Sequence, residues 1–268
     1  MIRLLPIPCL IIHALFTCIL SGEIRTPAII GNNMVLQQNH KNPIWGWANP
    51  GELIQVQIAE QNHKVEVSPK GYWKVSLDPM PASASPKVMT IQGSSELKFE
   101  NILVGEVWLC SGQSNMGWAL GNSDDSDLEI MTANYPNLRL VSVPQVGTQE
   151  AQTDFNGRWE STTPEVAKNF SAVGYLFGRR LHLALGVPVG LIDNAWGGSA
   201  CEAWIPRDRL NQLPVAKPYM DQWRETEKTF DYDKLLASYQ ENLEAWKMKA
   251  EIARKDGKPQ PGGRPRAP

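Results

Sequence analysis

Ser114 is the residue of this 268-residue chain whose neighbours best suit it to covalent chemistry. It sits in Gly112-Gln113-Ser114-Asn115-Met116, directly after an apolar run from Ile102 to Cys110 that reads as a buried strand. Open α/β sheets place their ligands outside the carboxyl ends of strands. A serine at a strand-to-helix turn there has an exposed hydroxyl and aims its own backbone N–H at the group under attack. The rival reading is a polar turn that merely caps a helix. Gly-x-Ser alone is a weak signal, but the whole pentapeptide behind such a strand favours a nucleophile. A second segment, Gly190 to Trp204, places Trp196-Gly197-Gly198 after a short strand ending near Ile192. Both turns then leave carboxyl ends of strands, which is the reason to assign them to one site.

Residues 112–116 and 190–204 resemble the first two motif blocks of the sialate O-acetylesterase family, a branch of the SGNH (GDSL-like) hydrolases. Asn33-Met34-Val35-Leu36-Gln37, Ile44-Trp45-Gly46-Trp47 and Gly71-Tyr72-Trp73 resemble that family's small β domain, so the likeness covers most of residues 27 to 210. The resemblance implies an SGNH-type, flavodoxin-like parallel sheet, incomplete here, preceded by a small antiparallel β-sandwich. It also implies removal of acetyl esters from O-acetylated sugars through a serine acyl-enzyme. Ser114 would supply the nucleophile and one oxyanion donor, its own N–H. A glycine of the second block would supply another donor, Gly198 in first place and Gly197 as the alternate. A missing Cβ lets a backbone N–H approach a tetrahedral carbon closely. Gln113, Asn115, Glu202 and Trp204 are candidate pocket residues, and Asp193 and Asn194 candidate buttresses, with plain structural filling as the alternative.

The departure from the family pattern is the base. The family's catalytic histidine and acid lie far downstream of the second block, and the four histidines here are His13, His40, His63 and His182. None stands in an Asp-x-x-His context. His182 lies mid-helix among apolar residues, which makes it a poor base. The expectation is a fragment: a leader, a β domain and the first part of a hydrolase domain. The rival functions are a non-catalytic carbohydrate-binding module and a structural extracytoplasmic protein.

Composition narrows the classes further. A net charge of −2, with 42% hydrophobic and 20% charged residues, describes a globular protein with no basic stripe for nucleic acid. Ten tryptophans suit a glycan substrate as well as a core. Residues 1–22 read as a signal peptide: Arg3 opens it, Leu4 to Leu20 is mostly apolar, and Ser21-Gly22 offers small residues for cleavage. A membrane anchor is the alternative, but Pro6, Pro8 and His13 interrupt the run. The expected location is periplasmic or extracellular, without stable membrane insertion once the leader is removed. Loss of the leader takes Cys9 and Cys18 and leaves Cys110 and Cys201, which form either a disulfide or two free thiols. The Cys and His positions offer no ligand cluster, so neither a metal nor an organic cofactor is implied. Nothing in the residues indicates an oligomeric state.

The expected layout is a leader over 1–22, a β-sandwich over 23–100 and a partial esterase domain over 101–268. Ile54 to Ile58 and Trp73 to Leu77 alternate strictly, Met89 to Ile91 continues the pattern, and Asn49-Pro50-Gly51 and Pro69-Lys70-Gly71 mark turns. Leu138 to Val143 reads as a strand. Ser171 to Leu185 reads as a helix with Val173, Leu176, Phe177, Leu181, Ala184 and Leu185 on the buried face, stopped by Gly186 and Pro188. Asp124-Asp125-Ser126-Asp127 lacks the glycine and distant glutamate of a calcium loop and reads as solvated. Lys234 to Arg254 reads as an amphipathic helix, and the Gly/Pro-rich tail from Gly257 as flexible.

Overall fold

The computed structural model describes residues 23–148 and 150–267; the expected leader, with Cys9, His13 and Cys18, lies outside them. The described chain divides into two compact units, one running to Ser199 and one from Ala200.

Period-two alternation builds the first part of unit one. The strands are β1 (Val35–Gln37), β2 (Asn42–Trp47), β3 (Leu53–Ile58), β4 (Gln61–Glu66), β5 (Tyr72–Leu77), β6 (Ser83–Gln92) and β7 (Glu96–Gly112). β3 pairs antiparallel with β4 and β6, and β6 with the first half of β7. β2 and β5 form a separate antiparallel pair. Ile44, Trp73, Val75 and Leu77 from that pair meet Ile54, Val56, Ile58, Met89 and Ile91 from the larger sheet in one buried core. The result is a two-layer sandwich. Gly46 is required in β2 because a Cβ there would sit 2.2 Å from the Arg25 carbonyl oxygen.

The remaining strands are β8 (Tyr135–Ser142), β9 (Glu160–Thr162) and β10 (Val189–Ala195). β10 lies between β7 and β8 and is parallel to both. The whole sheet is therefore mixed, in the order β4-β3-β6-β7-β10-β8-β9, with β1 parallel to β7. β7 passes without a break through position 100, where the sequence places a domain boundary. Its second half is also less buried than its composition suggests: Trp108 is 44% and Leu109 61% exposed, because only β10 pairs with it there.

Helices α1 (Ser126–Met131), α2 (Pro164–Asn169) and α3 (Ala172–Leu185) complete this unit. Ser171 caps α3 by accepting from Gly174 N, and Gly186 ends it at φ 66°. The buried face of α3 differs from the one expected. Ala172, Gly174, Tyr175 and Gly178 are buried and Leu181 is half-buried against the same core, whereas Val173, Leu176, Phe177, Ala184 and Leu185 are exposed. Glycine decides the orientation. A Cβ on Gly178 would fall 2.5 Å from a Leu191 methyl, and one on Gly174 would fall 2.9 Å from Cys110 Sγ. The helix thus rests its glycines on β10 and β7, closer than its leucines would permit.

The joint between the layers is polar. Arg139 of β8 is buried and donates to the carbonyl oxygens of Pro136 and Asn33 and to the side-chain oxygens of Asn33 and Asn101. Both asparagines hold left-handed backbone, φ 65° and 59°. These are conformations that Asn tolerates better than most residues.

In the second unit, α4 (Arg207–Leu210) and α5 (Lys217–Thr229) share a small core of Leu210, Ala216 and Met220, and α6 (Tyr232–Lys255) follows. Asp231 caps α6 by accepting from Lys234 N at 3.0 Å. Its half-buried stripe runs through Leu236, Tyr239, Leu243, Trp246, Ala250 and Ala253. The tail folds back rather than hanging free. Trp246 Nε1 donates to Pro261 O at 3.0 Å, and the Arg264 guanidinium lies 5.7 Å from the Trp246 ring centre.

Gly178→Ala should destabilise the chain by roughly 1–3 kcal/mol through overpacking on Leu191. Val173→Ala, on the exposed side of α3, should stay within about 0.5 kcal/mol. Urea denaturation of the two variants checks the assignment of the helix faces.

Candidate active site

Gly112 ends β7 with φ 148°, a value that suits glycine, and the chain turns at once. The turn is closed by Gly117 N donating to Gln113 O at 2.9 Å. No long helix follows: the next element is a single 3-10 turn, Leu120–Asn122. Ser114 is exposed at this turn. Its backbone N–H therefore has no helix dipole behind it, unlike the strand-to-helix arrangement expected.

A second loop faces the first. Trp196 N donates to Gly112 O at 2.9 Å, and Gln113 Nε2 donates to Ser199 O. Ser199 Oγ donates to Trp196 O at 2.7 Å, folding the loop on itself. A Cβ on Gly197 would lie 3.3 Å from both Cα and Cβ of Ser114, so this position packs directly on the serine. Gly198, the first choice from sequence, has φ 78° and open space where a Cβ would be. It supplies the loop's left-handed turn, while Gly197 supplies the close approach.

Two supports carry no signal in the motifs themselves. Ser171 Oγ donates to Met116 Sδ at 3.4 Å, tying the serine turn to the capped start of α3. Gln145 Nε2 donates to Ala195 O at 3.0 Å beneath the glycine loop. The N-cap of α3 is legible as a serine ahead of an apolar helix; its second contact is not.

The chemistry around Ser114 is incomplete among the described residues. Ser114 Oγ has no hydrogen-bond partner there. His182 Nδ1 is 2.6 Å from Val187 O, at the far end of α3; His40 Nδ1 meets Gln38 O, and His63 Nε2 meets Gln61 Oε1, both in the sandwich. Asn115 is exposed beside the serine. Glu202 and Trp204 lie in the 3-10 turn Cys201–Trp204 of the second unit. The two cysteines among the described residues are free thiols: Cys110 is buried under α3 and Cys201 exposed. Burial, and then the nearby Asp193 carboxylate, push the Cys110 thiol up to about 11, which leaves it inert.

Asp193 is the one carboxylate under the site with a large shift. Burial raises it to about 6, against a hydrogen bond from the Ala195 backbone that lowers it. Its Oδ1 is buried without a partner. Asn194, next along β10, is in register with Ser111.

An exposed serine behind a parallel strand is thus packed against a glycine turn from the neighbouring strand. A family described as carbohydrate esterase, sialic acid-specific acetylesterase, matches residues 104–251. The sialate O-acetylesterase of Homo sapiens is 34% identical over 213 residues, 72% of this chain and 41% of that protein. Its Mus musculus counterpart is 32% identical over 211 residues, 71% of this chain and 39% of that protein. A crystal structure of a carbohydrate acetylesterase from Xanthomonas citri superposes with a TM-score of 0.68 at 36% identity, covering 70% of this chain and 44% of that one. This chain belongs to the sialic acid-specific acetylesterase family of carbohydrate esterases. It spans about two-fifths of the length of the curated relatives it matches.

Asp193 gives a pH test. Its folded pKa, about 6, lies above its unfolded value near 3.8, so ionisation opposes folding. The penalty is absent below pH 3.8 and complete above pH 6. Asp193→Asn should therefore raise the melting temperature little at pH 4 and by several degrees at pH 7.5. A difference that shrinks with rising pH would contradict the assignment.

Proposed function

We propose that this chain carries the nucleophile and part of the oxyanion site of a serine esterase that removes acetyl groups from O-acetylated carbohydrates. The observation that carries this reading is the packing of Gly197 on Ser114, which sets a backbone turn against an exposed hydroxyl. In the reaction, Ser114 Oγ attacks the acetyl carbonyl carbon and gives its proton to a general base. The carbonyl oxygen becomes an oxyanion facing the N–H of Ser114 and of the Gly197-Gly198 turn. Collapse breaks the bond to the sugar oxygen, which takes the proton and leaves as an alcohol. Water then hydrolyses acetyl-Ser114 by the same steps in reverse roles. Each well-placed oxyanion donor is worth roughly 10²–10³ in rate.

The base is the element these residues do not provide at Ser114, so it belongs to polypeptide outside the described residues. Trp196, 37% exposed on the glycine loop, offers an indole surface on which a sugar ring can stack. Gln113 and Asn115 are the polar groups beside Ser114 suited to sugar hydroxyls. The reading needs no metal or organic cofactor. Export to the periplasm or the cell exterior is part of the proposal and rests on the leader-like composition of residues 1–22. No described helix is long and apolar enough to cross a membrane. The absence of a histidine on Ser114 favours one second reading, a carbohydrate-binding protein without turnover.

The isolated 268-residue chain should hydrolyse p-nitrophenyl acetate no faster than its Ser114→Ala variant. In a longer protein that contains the chain and a base, Ser114→Ala should lower kcat for acetate release from O-acetylated sugars by as much as 10⁶, on the order seen when a serine hydrolase loses its nucleophile. Undiminished release by that variant would leave the carbohydrate-binding reading in its place.

A further inference from the structure

A cavity of about 780 Å³ opens where the chain entering the sandwich meets β9 and the start of α2. One wall is drawn from residues 26–33 and Phe99 of β7, the other from residues 157–166. The volume falls within the roughly 300–1,000 Å³ of small-molecule sites. Hydrogen bonds across the joint fix both walls. Trp159 Nε1 donates to Ile29 O at 2.9 Å, Asn33 Nδ2 to Trp159 O at 3.3 Å, and Ala28 N to Asp154 Oδ1 at 2.7 Å. Ile30 N donates to Pro27 O at 2.9 Å and closes the turn. The cavity is therefore preformed.

The polar groups of these walls are only partly satisfied. Side chains alternate along a strand, and Thr162 of β9 is buried away from the cavity with its hydroxyl on Leu138 O at 2.7 Å. Ser161 and Thr163 line the cavity instead. Asn32 Oδ1 accepts from Glu100 N at 2.7 Å, which fixes that amide. Asn32 Nδ2 and Ser161 Oγ have no hydrogen-bond partner among the described residues. Phe99 and Val166 are half-buried and add apolar surface. Arg158 and Glu160 pair with each other at 3.1 Å, so the walls carry no unbalanced charge. Free donors and acceptors of no net charge, beside a half-buried ring, suit a neutral polyhydroxylated ligand.

We propose that this cavity is a second carbohydrate-binding site, which holds a neutral sugar unit of a glycan away from the ester being cut. It stands at the opposite end of the sheet from Ser114. The stretch of β7 from Phe99 to Gly112 spans roughly 40 Å at about 3.3 Å per residue. Trp159 lies against Gly190 at the start of β10, whereas Gly197 lies past the end of that strand. The cavity therefore grips the glycan and takes no part in the reaction. The choice of a sugar among neutral polyols rests on the esterase reading; the cavity and its free hydrogen-bonding groups do not.

The test is an amide-resolved NMR titration of the purified chain with cellotetraose, xylotetraose and mannotetraose, with 3′-sialyllactose and glycerol as comparisons. At least one neutral tetrasaccharide should shift the Asn32, Phe99 and Ser161 amides at concentrations where glycerol does not. Ser161→Ala should weaken that binding about 5-fold, as should Asn32→Asp, which keeps the oxygen that Glu100 N uses. Phe99→Leu, which keeps apolar bulk and removes the ring, should weaken it about 5-fold as well. Four results would overturn the proposal: no shift at these amides with any neutral tetrasaccharide, equal shifts with glycerol, shifts with 3′-sialyllactose alone, or full affinity in all three variants. Binding that vanishes in a longer protein containing the chain would also overturn it, since polypeptide would then fill the cavity. Shifts at Ser114 and Gly197 alone defeat this site and leave the esterase reading. Shifts at the cavity in a protein whose acetate release survives Ser114→Ala leave the site standing and defeat the esterase reading.

Discussion

One strand holds the first unit together. β7 is 17 residues long, and its first half belongs to the sandwich while its second half belongs to the parallel sheet. At roughly 3.3 Å per residue it extends over 50 Å, longer than most strands in globular proteins. It buries Ile102, Leu103 and Val104 at the junction and delivers Ser114 two residues past its end. The sandwich therefore sets the direction of the strand that presents the serine. Arg139 reinforces the same junction from β8, with four hydrogen bonds to neutral oxygens that include both left-handed asparagines. A buried guanidinium is costly unless its donors are met, and here the geometry of Asn33 and Asn101 meets them.

The second constraint is close approach. Gly178 against Leu191, Gly174 against Cys110 and Gly197 against Ser114 are three places where a Cβ would collide or crowd. The first two bring α3 down onto the sheet, and its capped end in turn holds Met116 of the serine turn. The third joins two loops that are more than 80 residues apart in sequence. Packing and site geometry are thus one arrangement: glycines set the helix depth, and the helix start steadies the serine.

Much of this was legible in the residues. The strict alternation of Ile54 to Ile58 and Trp73 to Leu77 marked the sandwich, because its two layers share an apolar core. Ser171, Gly186 and Pro188 marked the limits of α3, since capping and stopping are local. The buried face of that helix was not legible. Counting large apolar residues favours Val173, Leu176 and Phe177, whereas depth of packing favours the glycines and Tyr175, and depth depends on what lies beneath. The burial of β7 misled for a related reason, since Trp108 and Leu109 are as apolar as a buried strand requires but have a neighbour on one edge only. The free state of Cys110 and Cys201 and the folded-back tail on Trp246 are likewise tertiary outcomes that composition does not encode. At the site, the serine and the glycine pair stood out by motif; which glycine touches the serine depends on loop geometry.

Ser114 and Gly197 are neighbours across two loops. A Cβ placed on Gly197 would lie 3.3 Å from that of Ser114, close to the separation found in disulfides. The most direct measurement is oxidation of a Ser114→Cys, Gly197→Cys, Cys201→Ser variant, followed by mass spectrometry of its tryptic peptides. A disulfide linking the peptides that carry positions 114 and 197 is the predicted result. Two persistently free thiols at those positions in the folded protein would contradict it.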